Sequence, residues 1–248
     1  MKALILAGGL GSRLSEETSK IPKPMIPIGS KPIIWHIMKF YQSFDINEFI
    51  ILGGYKCNII KNFFYNKKTV LKKNGFYFNI DEKWSVKVLN TGIKTQTGGR
   101  LLKAKKFIKK DKYFFFTYGD GLTNLDLNKQ LKLHLKKKKL CTMTCVNPEA
   151  RFGEAKIKKN LIINKFVEKN KNKNVWINGG YFVASPKVLN YIKNSNTIWE
   201  RDPMEKLAKE SNLIAFKHKS FWKPMDTMKD LIELKNIWKN KKLWRIKR

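Results

Sequence analysis

Arginine is scarce in a chain otherwise crowded with positive charge. Of 52 basic residues among 248, 6 are arginine and 46 are lysine, against 19 acidic side chains, for a formal net charge of +33. Arginine is the side chain that forks onto phosphates and base edges, so its scarcity speaks against a tuned reader of duplex nucleic acid. The lysines are also spread through nearly every segment, with runs only at Lys136–Lys139 and around Lys169–Lys173. A coding bias toward Lys, Asn and Ile accounts for that mix, and no nucleic-acid partner is expected. The field would still draw small polyanions toward the surface.

Cysteine and histidine are nearly as rare. Cys57, Cys141 and Cys145 are odd in number and stand at no metal-ligand spacing, which excludes a disulfide framework and a zinc site and suits a reducing compartment. Cys141 and Cys145 share the apolar run LCTMTCV and read as core. His36, His134 and His218 form no ligand set and no Ser–His–Asp set, so structural or surface roles are expected of them. No run of 18 apolar residues occurs, so no membrane span is expected. Met1–Leu10 imitates a secretory leader, but Gly11, Arg13, Glu16 and Glu17 follow with no small-residue cleavage site. A first strand is the better reading, and a cytoplasmic setting is expected.

What remains is enough for one large domain, with 42% apolar and 12% aromatic residues. Strands are predicted at 2–7, 49–52, 86–89, 112–118, 140–146 and 176–184, and a hairpin over 155–157 and 161–167. Helices are predicted at 31–43, 55–65, 101–108, 125–138, 186–192, 203–211 and 228–241, and a solvated loop at 169–174. Strands alternating with helices on short connections predict an α/β fold, a Rossmann-like and mainly parallel sheet flanked by helices. The texture changes after Pro148, giving a first part (1–147) and a smaller β-rich and C-terminal helical part (148–248) within a single domain.

The strongest local signal is LAGGLGSRL (Leu6–Leu14), followed by KIPKPMIPIGSKPI (Lys20–Ile33). Glycines directly after a strand let backbone N–H groups approach a phosphate with no Cβ in the way. A Walker loop would end in Gly-Lys-Ser/Thr, and this one ends Gly-Ser-Arg. A dinucleotide fingerprint would open a helix, which the prolines at 22, 24 and 27 exclude. A plain glycine turn explains the glycines but not the Arg13 and Lys23 that follow. Asp120, at the end of the apolar run FFFTYGD, sits where ligands gather in parallel sheets, or is a turn residue before Gly121. The stretch TQTGGR is either a substrate loop or the ordinary start of a helix.

AGGLGSRL followed by KIPKP resembles the sugar-1-phosphate nucleotidyltransferases, whose signature is AGGxG(S/T)RL and then KPKP. Ile21 stands at the first step of that second motif, and Lys23 keeps its place before Pro24. LGGYKCNIIKNFF (52–64), NTGIKTQTGGRL (90–101), TYGDG (117–121), RFGEA (151–155), WINGGYFV (176–183), WERDPMEKLA (199–208) and FWKPMDT (221–227) extend the resemblance end to end, in order.

The resemblance implies a magnesium-dependent attack of a sugar phosphate on the α-phosphorus of a nucleoside triphosphate, in a homo-oligomer. Its narrower form implies CTP and glucose 1-phosphate as substrates; UTP, dTTP or GTP, or a non-catalytic regulatory relative, are the alternatives. By residue, it implies that Arg13 and Lys23 are catalytic and that Asp120 and Asp226 hold the metal. Leu6, Ala7, Gly8, Gly9, Leu10, Gly11, Ser12, Thr95, Arg100 and Gly119 would bind the nucleotide. Gly153, Glu168, Lys169, Asn178 and Gly179 would bind the sugar phosphate, with Asn170 standing where the family form EKP has its proline.

Overall fold

The computed structural model describes residues 1–66, 68–148, 154–159, 162–167, 175–240 and 243–244. Nine strands form one sheet: β1 (Lys2–Ala7), β2 (Glu48–Gly53), β3 (Thr69–Leu71), β4 (Tyr77–Asn79), β5 (Trp84–Asn90), β6 (Phe114–Tyr118), β7 (Cys141–Val146), β8 (Ile177–Ala184) and β9 (Leu213–His218). Their order is β9-β7-β8-β6-β1-β2-β5-β4-β3. Followed through the parallel and antiparallel pairings, seven strands run in one sense, and only β8 and β4 run against them. The sheet is therefore mixed and mostly parallel, as the alternation of strands and helices predicted.

The apolar continuity of β1 has a direct cause. Successive side chains alternate faces, and both faces are covered. Ala3, Ile5 and Ala7 join one buried cluster with Ile33, Ile37 and Tyr41 of helix α1 (Ile33–Gln42) and Leu231 and Leu234 near the C-terminus. Leu4 and Leu6 join the other with Leu101, Ile108, Trp199 and Leu207. In that second cluster Phe116 of β6 stacks on Phe182 of β8 at 4.3 Å, with Trp199 edge-on at 5.3 Å. Emptying such a position by Phe→Ala costs about 3–5 kcal/mol in general.

Several boundaries differ from the sequence reading. The helix expected at 101–108 starts earlier and breaks: α3 (Cys57–Phe64 being α2) spans Thr97–Lys103, and α4 spans Lys105–Ile108. Gly98 and Gly99 hid the start, because glycine is a poor helix former. They are there for closeness, since a Cβ on Gly99 would lie 2.3 Å from the Ser195 carbonyl oxygen. The segment at 186–192 is a 3₁₀ helix over Pro186–Tyr191. The hairpin is observed as Glu154–Ile157 against Ile163–Val167, and the loop expected at 169–174 lies outside the described residues. Among the described residues no helix is long and apolar enough to cross a membrane.

All three histidines are buried and hydrogen-bonded. His134 Nδ1 meets Thr142 Oγ1 at 3.0 Å, and His218, in a polar lysine stretch, is buried with Nε2 3.0 Å from the Phe221 carbonyl. His36 is 2% exposed; its Nε2–H donates to the Ile28 carbonyl at 2.9 Å and its Nδ1 accepts from Trp244 Nε1 at 3.3 Å. Burial pushes the His36 pKa below its ordinary value, partly offset by the Ile28 and Lys31 carbonyls. Folded protein then binds fewer protons than unfolded chain below about pH 6.5, so this stabilisation is full above that pH and is lost as pH falls toward the depressed folded value. An NMR titration of His36 should give a midpoint below about 6.5, with the melting temperature dropping over the same range. A midpoint above 6.5 would contradict the neutral, doubly bonded imidazole.

Candidate active site

Register places the site. β1 is flanked by β2 and β6, with Ala7 opposite Gly53 and Leu6 opposite Tyr118. Three parallel strands thus end together, and the loops after them, Gly8–Gly11, Gly54–Tyr55 and Gly119–Asp120, emerge on one rim, where open α/β sheets gather their ligands. The rim opens onto a cleft of about 1820 Å³. That exceeds the roughly 300–1,000 Å³ of a single small-molecule pocket, leaving room for two substrates.

The glycine loop is held from beneath. Gly11 has φ +69°, a left-handed conformation that glycine adopts without strain, and a Cβ there would lie 2.8 Å from Thr18 Cγ2. The Thr18 hydroxyl lies 3.1 Å from the Gly11 carbonyl and 3.0 Å from the Leu14 carbonyl, while Tyr55 Oη–H donates to the Thr18 carbonyl at 3.0 Å. Leu6, Ala7, Gly8, Gly9, Leu10, Gly11, Ser12 and Arg13 all line the cleft.

Asp120 and Asp226 meet across a two-stranded ribbon. Gly121–Thr123 pairs with Trp222–Pro224, with Gly121 opposite Pro224, and Met225 N–H donates to the Asp120 carbonyl at 2.8 Å. Lys23 reaches both carboxylates from its own 3₁₀ turn (Lys23–Met25): Nζ is 2.7 Å from Asp120 Oδ2 and 2.9 Å from Asp226 Oδ1. Arg13 Nη1 lies 3.1 Å from Asp226 Oδ2, on a side chain 70% exposed to the cleft. Burial pulls the Lys23 pKa down, but the ion pairs and hydrogen bonds to Asp120 and Asp226 outweigh it, so the net shift is upward. Lys23 therefore stays an ammonium ion at neutral pH. Two carboxylate oxygens converge on one cationic nitrogen, the donor set that a hard divalent ion takes together with substrate phosphates and water.

Asp230 was not foreseen. Its Oδ2 accepts from the backbone N–H of Asp226 at 3.2 Å and of Thr227 at 2.9 Å, and from the Thr227 hydroxyl at 2.9 Å. Asp230 N–H returns a bond to Thr227 Oγ1 at 3.2 Å, a capping box opening helix α7 (Met228–Asn240; α5 being Leu127–Lys137 and α6 Asp202–Lys209). Lys223 Nζ adds an ion pair to its Oδ1 at 3.3 Å. Burial would raise the Asp230 pKa, but the Thr227 and Lys223 partners outweigh it and hold it below the usual carboxylate value. That stabilisation is present above about pH 3.9 and is lost as pH falls through the lower folded value. Asp230→Ala should cost about 1 kcal/mol, lowering the melting temperature by about 2–4 °C. A spacing of Thr227 to Asp230 ahead of an apolar helix was the signal available in the sequence.

Thr95, Arg100 and Gly119, expected on the nucleotide side, line the cleft, and the polar groups of the first two turn into the protein. Thr95 Oγ1–H donates to the Thr91 carbonyl at 2.5 Å. Arg100 is 4% exposed, and burial lowers its pKa from the ordinary arginine value.

On the sugar side, Asn178 and Gly179 reach the cleft, and Gly153, Glu168 and Lys169 lie outside the described residues. Asn178 Nδ2 donates to Tyr118 Oη at 3.1 Å, Tyr118 Oη–H donates to Glu200, and Thr97 Oγ1–H donates to the other Glu200 oxygen at 2.6 Å. Burial, and then Glu200, push the Tyr118 pKa well up, so the phenol keeps its proton. Glu200 is a second residue the sequence reading missed.

A phosphate-ready glycine loop, an arginine and a lysine on facing carboxylates, and a sheet of this order define a nucleotidyl transferase. The sequence model of the family described as nucleotidyl transferase matches residues 2–241, and the chain belongs to that family. Within it, the chain is 43% identical to the glucose-1-phosphate cytidylyltransferases of Salmonella typhimurium and Salmonella typhi, over 99% of this chain and 99% of each relative. Among solved structures, HddC from Yersinia pseudotuberculosis superposes with a TM-score of 0.70 at 25% identity, covering 96% of this chain and 99% of that one. An apo UDP-glucose pyrophosphorylase shares the fold, with a TM-score of 0.71 at 20% identity over 98% and 99% of the two chains.

Proposed function

We propose that this chain transfers a cytidylyl group from CTP to α-D-glucose 1-phosphate, giving CDP-glucose and pyrophosphate. The observation that carries the reading is the convergence of Lys23, Asp120, Asp226 and Arg13 at the lip of the glycine loop. It is supported by the 43% identity to cytidylyltransferases along the whole chain.

An oxygen of the sugar phosphate attacks the α-phosphorus of CTP in line, and the bond from that phosphorus to the bridging oxygen of the leaving pyrophosphate breaks. The attacking oxygen is already ionised at neutral pH, because a phosphate monoester loses its second proton near about pH 6, so no general base is required. The chemistry calls for positioning and charge neutralisation. Asp120 and Asp226 would hold magnesium, and the ion when bound neutralises phosphate charge and orients the reacting group. Lys23, kept protonated by the two carboxylates, serves as a cation between the α-phosphate and the sugar phosphate. Arg13, exposed to the cleft, holds the triphosphate and the departing pyrophosphate. Backbone N–H groups of Gly8, Gly9, Gly11 and Ser12 cradle the phosphates. Thr95, Arg100 and Gly119 build the nucleotide side, and Asn178 and Gly179, with Gly153, Glu168 and Lys169, the sugar side.

The reading includes a cytoplasmic setting, supported by three free and buried cysteines, and a homo-oligomer, supported by the family resemblance. A pyrophosphate-release assay with glucose 1-phosphate, magnesium and each of CTP, UTP, dTTP and GTP should show turnover with CTP. Turnover with only another triphosphate would move the reading to that nucleotide. Absence of release with all four from folded protein would make the chain a regulatory relative.

A further inference from the structure

Arg100 is a buried cation that no carboxylate pairs with among the described residues. Its guanidinium is spent on backbone instead. Nη1 reaches the carbonyls of Gly53 at 3.2 Å and Gly92 at 2.9 Å, and Thr91 Oγ1 at 2.5 Å. Nη2 reaches the carbonyls of Gly8 at 2.9 Å and Ile93 at 3.3 Å. Gly8 belongs to the phosphate-ready loop, and Gly92 and Ile93 belong to the loop that carries Thr95. One planar fork thus spans two loops that arrive from different strands, a geometry that a lysine ammonium cannot reproduce.

The slot is cut to fit. A Cβ on Gly8 would lie 2.1 Å from Arg100 Nη1, and a Cβ on Gly54 would lie 2.4 Å from the same atom and 2.7 Å from the Gly8 carbonyl oxygen. The two glycines flank the guanidinium and leave it the space their side chains would fill. Gly54 sits on the rim without lining the cleft itself, and the atoms nearest its Cβ position belong to the Arg100 guanidinium and the Gly8 carbonyl.

We infer that Arg100 is a positioning residue that locks the glycine loop and the 91–95 loop into one rigid unit, and that Gly54 is required because it leaves room for that lock. The triphosphate side and the base side of the cleft are then set relative to each other before any substrate arrives. This rests on the nucleotide-binding reading of the cleft, and its first test needs no substrate.

Hydrogen exchange of the substrate-free protein should show peptides covering 8–14 and 91–96 exchanging at least about tenfold faster in Arg100→Lys, both together. A control, Leu189→Ala, matched for loss of melting temperature, should leave both peptides at the wild-type rate. If Arg100→Lys loosens one loop alone, or if the control loosens both equally, the coupling is wrong. Gly54→Ala should reproduce the double loosening and raise KM for the accepted triphosphate at least about tenfold, with a smaller change in kcat. Wild-type exchange and wild-type KM in Gly54→Ala would remove the slot from the account. Loss of activity with every triphosphate in the wild type would overturn the proposed reaction, while the exchange result would still decide the coupling.

Discussion

Asp120→Asn should slow pyrophosphate release by about three orders of magnitude while the melting temperature moves by no more than a few degrees. A thousandfold loss corresponds to about 4 kcal/mol of transition-state stabilisation. Asparagine keeps the size and one acceptor oxygen, so the ribbon of Gly121–Thr123 on Trp222–Pro224 has no reason to shift. Lys23 would still hold Asp226 at 2.9 Å, and its charge would not be stranded. What disappears is one of two anionic oxygens aimed at a common cation position. The outcome that would sink the assignment is a large fall in melting temperature with turnover nearly intact, because Asp120 would then be a structural partner of Lys23.

Lys23→Met is expected to have an effect at least as large on turnover, about 10³-fold or more, with a stability signature that Asp120→Asn lacks. Lys23 is 13% exposed, and Asp120 and Asp226 both close on it. Without the ammonium ion, two carboxylates share a partly buried site, and Arg13, which pairs with Asp226, does so from a side chain 70% exposed. Like charges at such a site repel, so the variant should be less stable than the parent chain at neutral pH. Magnesium should restore more melting temperature to Lys23→Met than to the parent chain. A variant with the parent's melting temperature and no response to the metal would show that the carboxylates do not form a pair.

Much of this was legible in the residues. The apolar strands β1, β2 and β6 announce themselves because both faces of a parallel strand are buried, leaving no polar alternation. The edge strands were harder. β3 exposes Val70 (48%) and Leu71 (59%), and it carries no pattern that separates a strand from a polar loop. β9 was missed because it pairs on one side only, with β7, and follows a helix directly. Glu200 was missed for a different reason, because its hydrogen bonds reach residues that other elements carry and Thr97 is 103 positions away, whereas Asp230 bonds to Asp226 and Thr227 close by in the chain. Arg100 lines the cleft, but the direction of its guanidinium depends on carbonyls from three separate segments.

Residue chemistry alone settled that a glycine turn suited to phosphate follows the first strand and that an arginine and a lysine stand close behind it. Those are local matters, fixed by side-chain type and short spacing. Only folding decided that Lys23 meets Asp120 across 97 positions and Asp226 across 203. Such a meeting has no local determinant, because it comes from strand order and from the ribbon that carries one carboxylate back beside the other.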